Sequence, residues 1–313
     1  MAEPGEAPVV YPRGREPQNF TALRNAERRL KKKDADLSQC IDTRDLLRHG
    51  DAVRARSNGM FEVGDTGCVV WPGAVSIAQQ VELIGSCLGY HGLSNLDAHY
   101  VLDGGASGLF ASLDSVRHIA RKPGTDDSDA VCAQPLVQEM GRAEQVALLR
   151  RLRWISIGQQ YDWASKSYFA QSEPMPPDVC ALCARLCRDA GLCEDFRAEA
   201  GIVNLYQPGD SLTGHVDRSE RRMDVPLVSV SLGASCVFVL GGQSRDDEPV
   251  ALLLHSGDAL FLSGRSRLMY HGVPRILGPA EQLRTVEGLT LSQRAAFEVL
   301  GNGRININVR QVH

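Results

Sequence analysis

The chain has 313 residues, of which 43% are hydrophobic and 23% are charged, a balance typical of a soluble globular protein. No run approaches the ~18 consecutive apolar residues of a membrane span, so we expect no membrane partner. The formal net charge of −4 excludes a generally basic nucleic-acid coat, but it leaves a local basic groove open because phosphate contacts are local.

The chain is predicted to start with an arm and a basic helix. Residues 1–18 are rich in Pro and Gly, which predicts disorder. Residues 20–33 are typical of a helix with a cationic end. The cations of that end are Arg28, Arg29, Lys31, Lys32 and Lys33. Two interpretations stay open for this charge, a solvated helix face and a nucleic-acid-facing or targeting arm.

The middle of the chain alternates between helical patterns and short strands. Apolar residues at positions 77, 81, 84 and 88 form a helical stripe, and residues 136–152 predict a further helix. Residues 61–71 and 154–158 are typical of strands. We divide the chain into an N-terminal arm with the basic helix (1–60), a mainly helical region (61–195) and a strand-rich core (196–313).

The cysteines indicate reduced thiols. Nine is an odd number, and the chain shows no secretory signal, which favours an intracellular compartment. Cys180, Cys183 and Cys187 fall on one stripe of a predicted helix, where cysteine acts as a small buried hydrophobe. A zinc site is the alternative, but no second Cys pair or His pair follows at the required spacing.

From residue 202 onward the pattern changes to short strands divided by Gly-rich turns, which predicts an antiparallel sandwich or barrel. Residues 289–300 predict a helix inserted between two of these strands. Residues 304–310 then alternate strictly between polar and apolar side chains, as in a strand with one buried apolar face.

Two histidines and one aspartate in the strand region suggest a metal centre. His215 and Asp217 are two residues apart, so in a strand they face the same way, and His271 joins them from another strand. Two His and one carboxylate are the facial triad of non-haem Fe(II), which leaves open positions for chemistry. A structural zinc site would need a fourth ligand, which is not nearby in the sequence.

The last strand suggests the co-substrate. Its polar face carries Arg304, Asn306, Asn308 and Arg310. Buried arginines need anionic partners, and a guanidinium offers a bidentate fork to a carboxylate. A dicarboxylate held there, beside Fe(II), predicts an Fe(II)/2-oxoglutarate dioxygenase. The alternative is that internal Asp or Glu side chains neutralise the arginines.

These motifs resemble the AlkB family of Fe(II)/2-oxoglutarate nucleic-acid dealkylases, over roughly residues 150–313. The resemblance is carried by Asn204 and Tyr206, by His215-Val216-Asp217, by His271, and by Arg304, Asn306 and Arg310. The stretch His215-Val216-Asp217-Arg218-Ser219-Glu220 is most similar to the AlkB homologue 1 branch. The resemblance implies an α+β fold with a double-stranded β-helix (jelly-roll) core, N-terminal helices and a substrate lid.

The resemblance also implies the cofactors and their ligands. His215, Asp217 and His271 would bind Fe(II), which works with 2-oxoglutarate and O2. Arg304 would pair with the far carboxylate of 2-oxoglutarate, helped by Tyr206 and Asn306. Arg310 and Asn204 would act nearer the chelating end.

Substrate residues are assigned through the resemblance, except Arg218, which is assigned because it directly follows the metal motif. Trp154, Tyr161 and Trp163 align with the family's lid and would hold a flipped base, although ordinary core packing is the alternative. Arg218 would contact phosphate or else face solvent. Ser219 stands where the bacterial type has an acidic base contact, and residues 272–303 form a longer insert, so both departures affect base preference.

The function implied is oxidative demethylation of N-methyladenine, either 1-methyladenine in tRNA or N6-methyladenine in DNA, with release of formaldehyde, succinate and CO2. The expected partner is therefore nucleic acid, bound by a monomer in the nucleus, the mitochondrion or the cytoplasm. Two alternatives stay open. One is a protein side-chain hydroxylase with the same metal centre, and the other is a catalytically silent nucleic-acid-binding module.

Overall fold

The structure of the chain is a computed structural model. The structure describes residues 21–46, 50, 52–88, 153–159, 161–162, 167–168 and 174–313. No helix within these ranges is both long enough and apolar enough to cross a bilayer. The predicted disorder of residues 1–18, the predicted helix 136–152 and Trp163 lie outside the described residues.

The described residues form five α-helices and fifteen strands. The helices are α1 (Ala22–Lys31), α2 (Ile77–Leu88), α3 (Pro177–Asp189), α4 (Glu281–Arg284) and α5 (Leu291–Leu300). The strands are β1 (Ile41–Asp42), β2 (Val53–Ala55), β3 (Phe61–Val63), β4 (Cys68–Trp71), β5 (Trp154–Gly158), β6 (Tyr161–Asp162), β7 (Ser167–Tyr168), β8 (Ala200–Tyr206), β9 (Leu212–His215), β10 (Leu227–Gly233), β11 (Cys236–Leu240), β12 (Val250–Leu254), β13 (Ala259–Leu262), β14 (His271–Ile276) and β15 (Arg304–Arg310).

Strands β8 to β15 are divided between two facing sheets. The larger sheet has the order β2-β3-β4-β13-β10-β15-β8-β5, and the smaller sheet has the order β1-β12-β11-β14-β9. Each sheet takes four of these eight strands, and all of their pairings with one another are antiparallel. This arrangement is a double-stranded β-helix, so the predicted jelly-roll core is confirmed.

Helices cover the outer face of the larger sheet. Ile305, Ile307 and Val309 of β15 point outward into an apolar core that also contains side chains of α2, α3 and α5. Cys183 and Cys187 of α3 are fully buried in this core, as predicted for a structural stripe, whereas Cys180 is half-buried. Burial also raises the pKa of both thiols, as expected for inert core cysteines.

The smaller sheet is covered by α1 on its outer face. Leu23, Ala26 and Leu30 of this helix pack against Val237 and Val239 of β11. A third apolar cluster, with members such as Leu227, Phe238 and Leu262 from both sheets, lies between the sheets. Burial of one helix face by the sheet is what aligns α1 beside β9 and β14, the strands that carry the two histidines.

The larger sheet draws strands from all three predicted parts of the chain. Strand β2 lies in residues 1–60, strands β3 to β5 lie in residues 61–195, and the rest follow residue 196. The division at residues 60 and 195 stays a prediction. The predicted helix in the insert is present as α5, which begins after a capping box of Thr290 and Gln293 and packs on α2.

Candidate metal centre and co-substrate pocket

The two histidines meet across adjacent strands of the smaller sheet. His215 is the last residue of β9, His271 is the first residue of β14, and the two are direct cross-strand partners. Their ring centroids are 4.5 Å apart. Asp217 lies two residues beyond the end of β9, in a loop rather than in the strand that the sequence predicted. It still turns to the same point, since candidate ligand atoms of the three residues lie within 4.8 Å of one another.

Each histidine has one ring nitrogen occupied by backbone. Nδ1 of His215 lies 3.1 Å from the carbonyl oxygen of Thr213, and Nδ1 of His271 lies 3.2 Å from that of Met269. A carbonyl oxygen only accepts, so each Nδ1 must carry the proton and donate it. Each Nε2 therefore keeps its lone pair for a metal, the tautomer that metal-binding histidines require.

The protonation states also suit a divalent metal. Burial is the largest cause that lowers the pKa of His271, and the charge of His215 adds to it, so that the pKa falls to about 4. Burial opposes ionisation of Asp217, but Arg310 and the two histidines outweigh it and hold the pKa of this carboxyl well below its usual range. At neutral pH His271 is neutral and Asp217 is charged, which are the forms that bind metal.

A cavity of about 600 Å³ opens beside the triad, between the two sheets. The polar face of β15 lines it, as the alternation of residues 304–310 predicted. The predicted site residues that border the cavity are Trp154, Asn204, Tyr206, His215, Asp217, Arg218, Ser219, His271, Arg304, Asn306 and Arg310. The structure therefore brings the metal and co-substrate candidates together around one space.

Arg304 is a buried cation with open donors. Its side chain is 2% exposed, Nη2 donates to Ser231 Oγ at 3.0 Å, and the guanidinium lies 5.4 Å from the ring centre of Tyr206. Nε and Nη1 have no hydrogen-bond partner in the described part of the chain. Asn306 lies on the same strand face and donates to Ser229 Oγ at 2.7 Å. A carboxylate is the group that this guanidinium can still bind.

Arg310 is different, because the protein itself supplies its anions. Nη2 lies 2.5 Å from Asp217 Oδ2, and Nε lies 3.1 Å from Glu220 Oε1. The alternative of internal acidic partners therefore describes Arg310, whereas Arg304 has no such partner. Arg310 holds the carboxylate of the metal triad, but its Nη1 has no hydrogen-bond partner within the described residues. Its predicted role near the chelating end of 2-oxoglutarate therefore stays a prediction.

Three residues that the sequence did not single out complete this network. Glu220 is buried and accepts from Arg267 Nη2 at 2.9 Å and from the Tyr168 hydroxyl at 2.7 Å. Arg267, which is 2% exposed, also donates from Nη1 to the carbonyl oxygen of Asp217 at 2.7 Å. The loop that carries Asp217 is thus fixed from both sides. Glu220 lay within the motif that carried the resemblance, but its partners are about fifty residues away.

Three of the candidate substrate residues, Trp154, Arg218 and Ser219, line the cavity. Trp154 is half-buried on β5, Arg218 is exposed and Ser219 is half-buried. Tyr161 lies in β6, where its backbone pairs with that of Tyr168. The cationic end of α1 is exposed and close to the rim, since Lys31 Nζ lies 2.9 Å from the hydroxyl of the cavity-lining residue Ser211.

Comparison with known proteins supports the class that the fold and the triad define. The profile of the 2OG-Fe(II) oxygenase superfamily matches residues 122–310. The chain belongs to this superfamily, whose cofactors are Fe(II), 2-oxoglutarate and O2. The donor set fits that metal, because two histidines and one carboxylate form the facial triad of non-haem Fe(II). His215, Asp217 and His271 are the only group of three potential metal ligands within the described ranges.

Its relatives are AlkB proteins. The chain is 38% identical over 165 residues to the tRNA demethylase abh1 of Schizosaccharomyces pombe and 48% identical over 132 residues to the nucleic acid dioxygenase ALKBH1 of Homo sapiens. These matches cover 52% and 42% of this chain, but 53% and 34% of those proteins. The chain thus spans about half or less of the length of these relatives.

A third relative is matched over most of its length. The N6-methyladenosine RNA demethylase ALKBH of Cryphonectria parasitica is 32% identical over 213 residues, which cover 61% of this chain and 88% of that protein. The resemblance to the AlkB family, and to its homologue 1 branch, is confirmed by these matches.

Proposed function

We propose that the chain is an Fe(II)- and 2-oxoglutarate-dependent demethylase of N-methyladenine in nucleic acid, acting on 1-methyladenine in tRNA or N6-methyladenine in DNA. One observation carries the proposal. A two-histidine, one-aspartate group and a buried arginine with open donors line the same cavity. Relatives named as tRNA, DNA and RNA demethylases support the nucleic-acid substrate.

Different residues of the cavity would bind the metal, the co-substrate and the base. His215, Asp217 and His271 would hold Fe(II), which supplies oxidation of the methyl carbon by O2 coupled to conversion of 2-oxoglutarate to succinate and CO2. Arg304 would orient the co-substrate through its far carboxylate, beside Tyr206.

The remaining residues would prepare the site and admit the base. Arg310 keeps Asp217 anionic and holds its carboxylate beside the two histidines. Phe238, Leu260 and Leu262 give the cavity an apolar wall that limits the entry of water. Trp154 at the mouth offers a face on which a flipped base would stack, and Arg218 would contact phosphate. The monomeric state and the intracellular location stay predictions.

The test is mass spectrometry of nucleosides from methylated tRNA, single-stranded DNA and duplex DNA incubated with protein, Fe(II), ascorbate and 2-oxoglutarate. We expect loss of methyl groups from adenine in at least one substrate, with one succinate formed per methyl group lost. His215→Ala and Asp217→Ala should form no succinate while keeping the near-ultraviolet circular dichroism spectrum of the wild type.

Each alternative function predicts a different result. Unchanged nucleosides with decarboxylation stimulated by a protein or peptide would favour the protein hydroxylase. Nucleic-acid binding without any decarboxylation would favour the silent module. Turnover in both triad variants would refute the assignment of the metal ligands.

A further inference from the structure

The backbone of β9 is irregular directly before His215. Between the two cross-strand pairs that join β9 to β14, three residue steps on β9 face two steps on β14. The extra residue is a bulge, which leaves backbone groups outside the regular ladder. Gly214 lies in this bulge and is buried, so its N–H needs another partner.

That partner is Glu27 of α1. Oε1 of Glu27 accepts a hydrogen bond from the N–H of Gly214, and Oε2 accepts from Arg24 Nη1 at 3.2 Å. The side chain of Glu27 is only 5% exposed, although it belongs to a helix whose other charged residues are cations. A buried carboxylate on the inner face of a basic helix is therefore used to bind the backbone beside a candidate metal ligand.

The hydrogen bond of Glu27 reaches His215 through one peptide group. The N–H of Gly214 and the C=O of Thr213 belong to the same planar, rigid unit. The carbonyl end of that unit is the acceptor for Nδ1 of His215, at 3.1 Å. Fixing the N–H end with a carboxylate fixes the carbonyl end, and it also polarises the peptide so that its carbonyl is a stronger acceptor.

The glycines next to the two histidines allow α1 to come this close. A Cβ at Gly214 would lie 2.7 Å from Leu23 Cδ2 and 3.1 Å from Glu27 Oε1. A Cβ at Gly272, which follows His271, would lie 2.9 Å from the carbonyl oxygen of Leu212 and 3.2 Å from Glu27 Oε1. Side chains at these two positions would push the carboxylate away from the bulge.

We propose that Glu27 is a positioning residue of the metal centre. Through the Thr213–Gly214 peptide it holds His215 in the tautomer and ring orientation that present Nε2 to the metal. The N-terminal helix α1 is then part of the scaffold of the site, whatever its exposed cations bind. The inference rests on the proposed metal centre.

The test compares Glu27→Ala, Glu27→Asp and Glu27→Gln in the full chain, with Arg29→Ala on the exposed face of the same helix as the control. Co(II) is the metal probe, with its affinity measured by calorimetry and its ligand geometry by d–d absorption. In the metal-free protein, nitrogen-15 NMR of the imidazole reports the tautomer of His215.

Glu27→Ala should bind Co(II) about tenfold more weakly or worse, as for other residues that orient a metal ligand. Its d–d spectrum should change, and both tautomers of His215 should appear. Glu27→Asp is too short to reach the bulge and should behave in the same way. Glu27→Gln keeps an oxygen acceptor for Gly214 and should stay close to the wild type, as should Arg29→Ala.

Wild-type affinity, spectrum and tautomer in Glu27→Ala would overturn the inference. If Glu27→Ala does not fold, the comparison of Glu27→Asp with Glu27→Gln tests the inference. The same Co(II) affinity, spectrum and His215 tautomer in these two variants would overturn it. Failure of the wild type to bind Co(II) would instead contradict the proposed metal centre, and the tautomer of His215 would still test the role of Glu27.

Discussion

Replacement of Arg304 by methionine should affect stability and co-substrate binding in opposite directions. Arg304 is buried beside the cavity, and two of its donor groups have no partner within the described residues. In the ligand-free protein this cation is a cost, because it is removed from water without an anion. Arg304→Met removes the charge and fills a similar volume, so we expect the ligand-free variant to be more stable than the wild type.

The magnitude follows from the contacts of this side chain. The variant loses the hydrogen bond to Ser231, about 1 kcal/mol, and the contact with the Tyr206 ring, about 0.5–1 kcal/mol. It removes an uncompensated buried charge that costs several kcal/mol. The free energy of unfolding should therefore rise by about 1–3 kcal/mol. Loss of a buried charge-assisted pair with 2-oxoglutarate costs about 2–5 kcal/mol, or a factor of about 30 to a few thousand in the dissociation constant.

Arg310→Met is the matched control, since Arg310 lies on the same face of β15 and is as buried as Arg304. Arg310 pairs with Asp217 and Glu220, so its removal leaves buried carboxylates without this partner. We expect the free energy of unfolding to fall by about 3 kcal/mol or more. Two equal substitutions on one strand should thus change stability with opposite signs.

The assay is urea unfolding of both variants and the wild type, with and without 2-oxoglutarate and Mn(II) as a redox-inert metal. The ligand should stabilise the wild type by about 2.7 kcal/mol at a hundredfold excess over the wild-type dissociation constant, and at the same concentration it should stabilise Arg304→Met by less than about 1 kcal/mol. A less stable Arg304→Met variant that gains as much stability from 2-oxoglutarate as the wild type would refute the reasoning.

Two further predictions concern the network and the rim. Arg267→Met should lower the free energy of unfolding by about 3–5 kcal/mol, because it leaves buried Glu220 without one of its cations, and a change below about 1 kcal/mol in urea unfolding would contradict this. Lys31→Ala should weaken tRNA binding and lower the slope of log affinity against log salt by about 1, if the cationic end of α1 contacts phosphate. An unchanged salt slope in filter binding would show that this end of α1 is only a solvated face.

Much of the core and of the site could be predicted from local pattern. Strict alternation over residues 304–310 placed Ile305, Ile307 and Val309 in the apolar core and the polar residues on the cavity side, as the structure shows. The period of two is a property of any strand, so side-chain direction needs no knowledge of the neighbouring elements. The buried stripe of Cys183 and Cys187 followed in the same way from the helical period.

What the pattern did not predict is where a strand ends and what each side chain contacts. Asp217 faces His215 although β9 has already ended, because a loop fixed by Arg267 turns it toward the cavity. Glu27 gave no signal, since an acidic residue within a basic helix is usually an exposed ion-pair partner. The hydrogen bond between Glu27 and Gly214 joins residues 187 positions apart, and it depends on a bulge that the sequence pattern does not predict.

Arg304 and Arg310 also show what the sequence pattern does not predict. The alternation of residues 304–310 places both side chains on the cavity side of β15, but only the fold determines that they have different partners. Around the triad, the carboxylates of Asp217 and Glu220 are balanced by Arg267 and Arg310. Arg304 adds a positive charge that no acidic residue within the described chain balances. A divalent metal alone would increase the net positive charge of the pocket. A dicarboxylate dianion alone would have Arg304 as the partner of one carboxylate but no metal as the partner of the other. The charges of the two ligands cancel, so binding both leaves the net charge of the pocket unchanged. Each ligand should therefore favour binding of the other through their mutual electrostatic attraction.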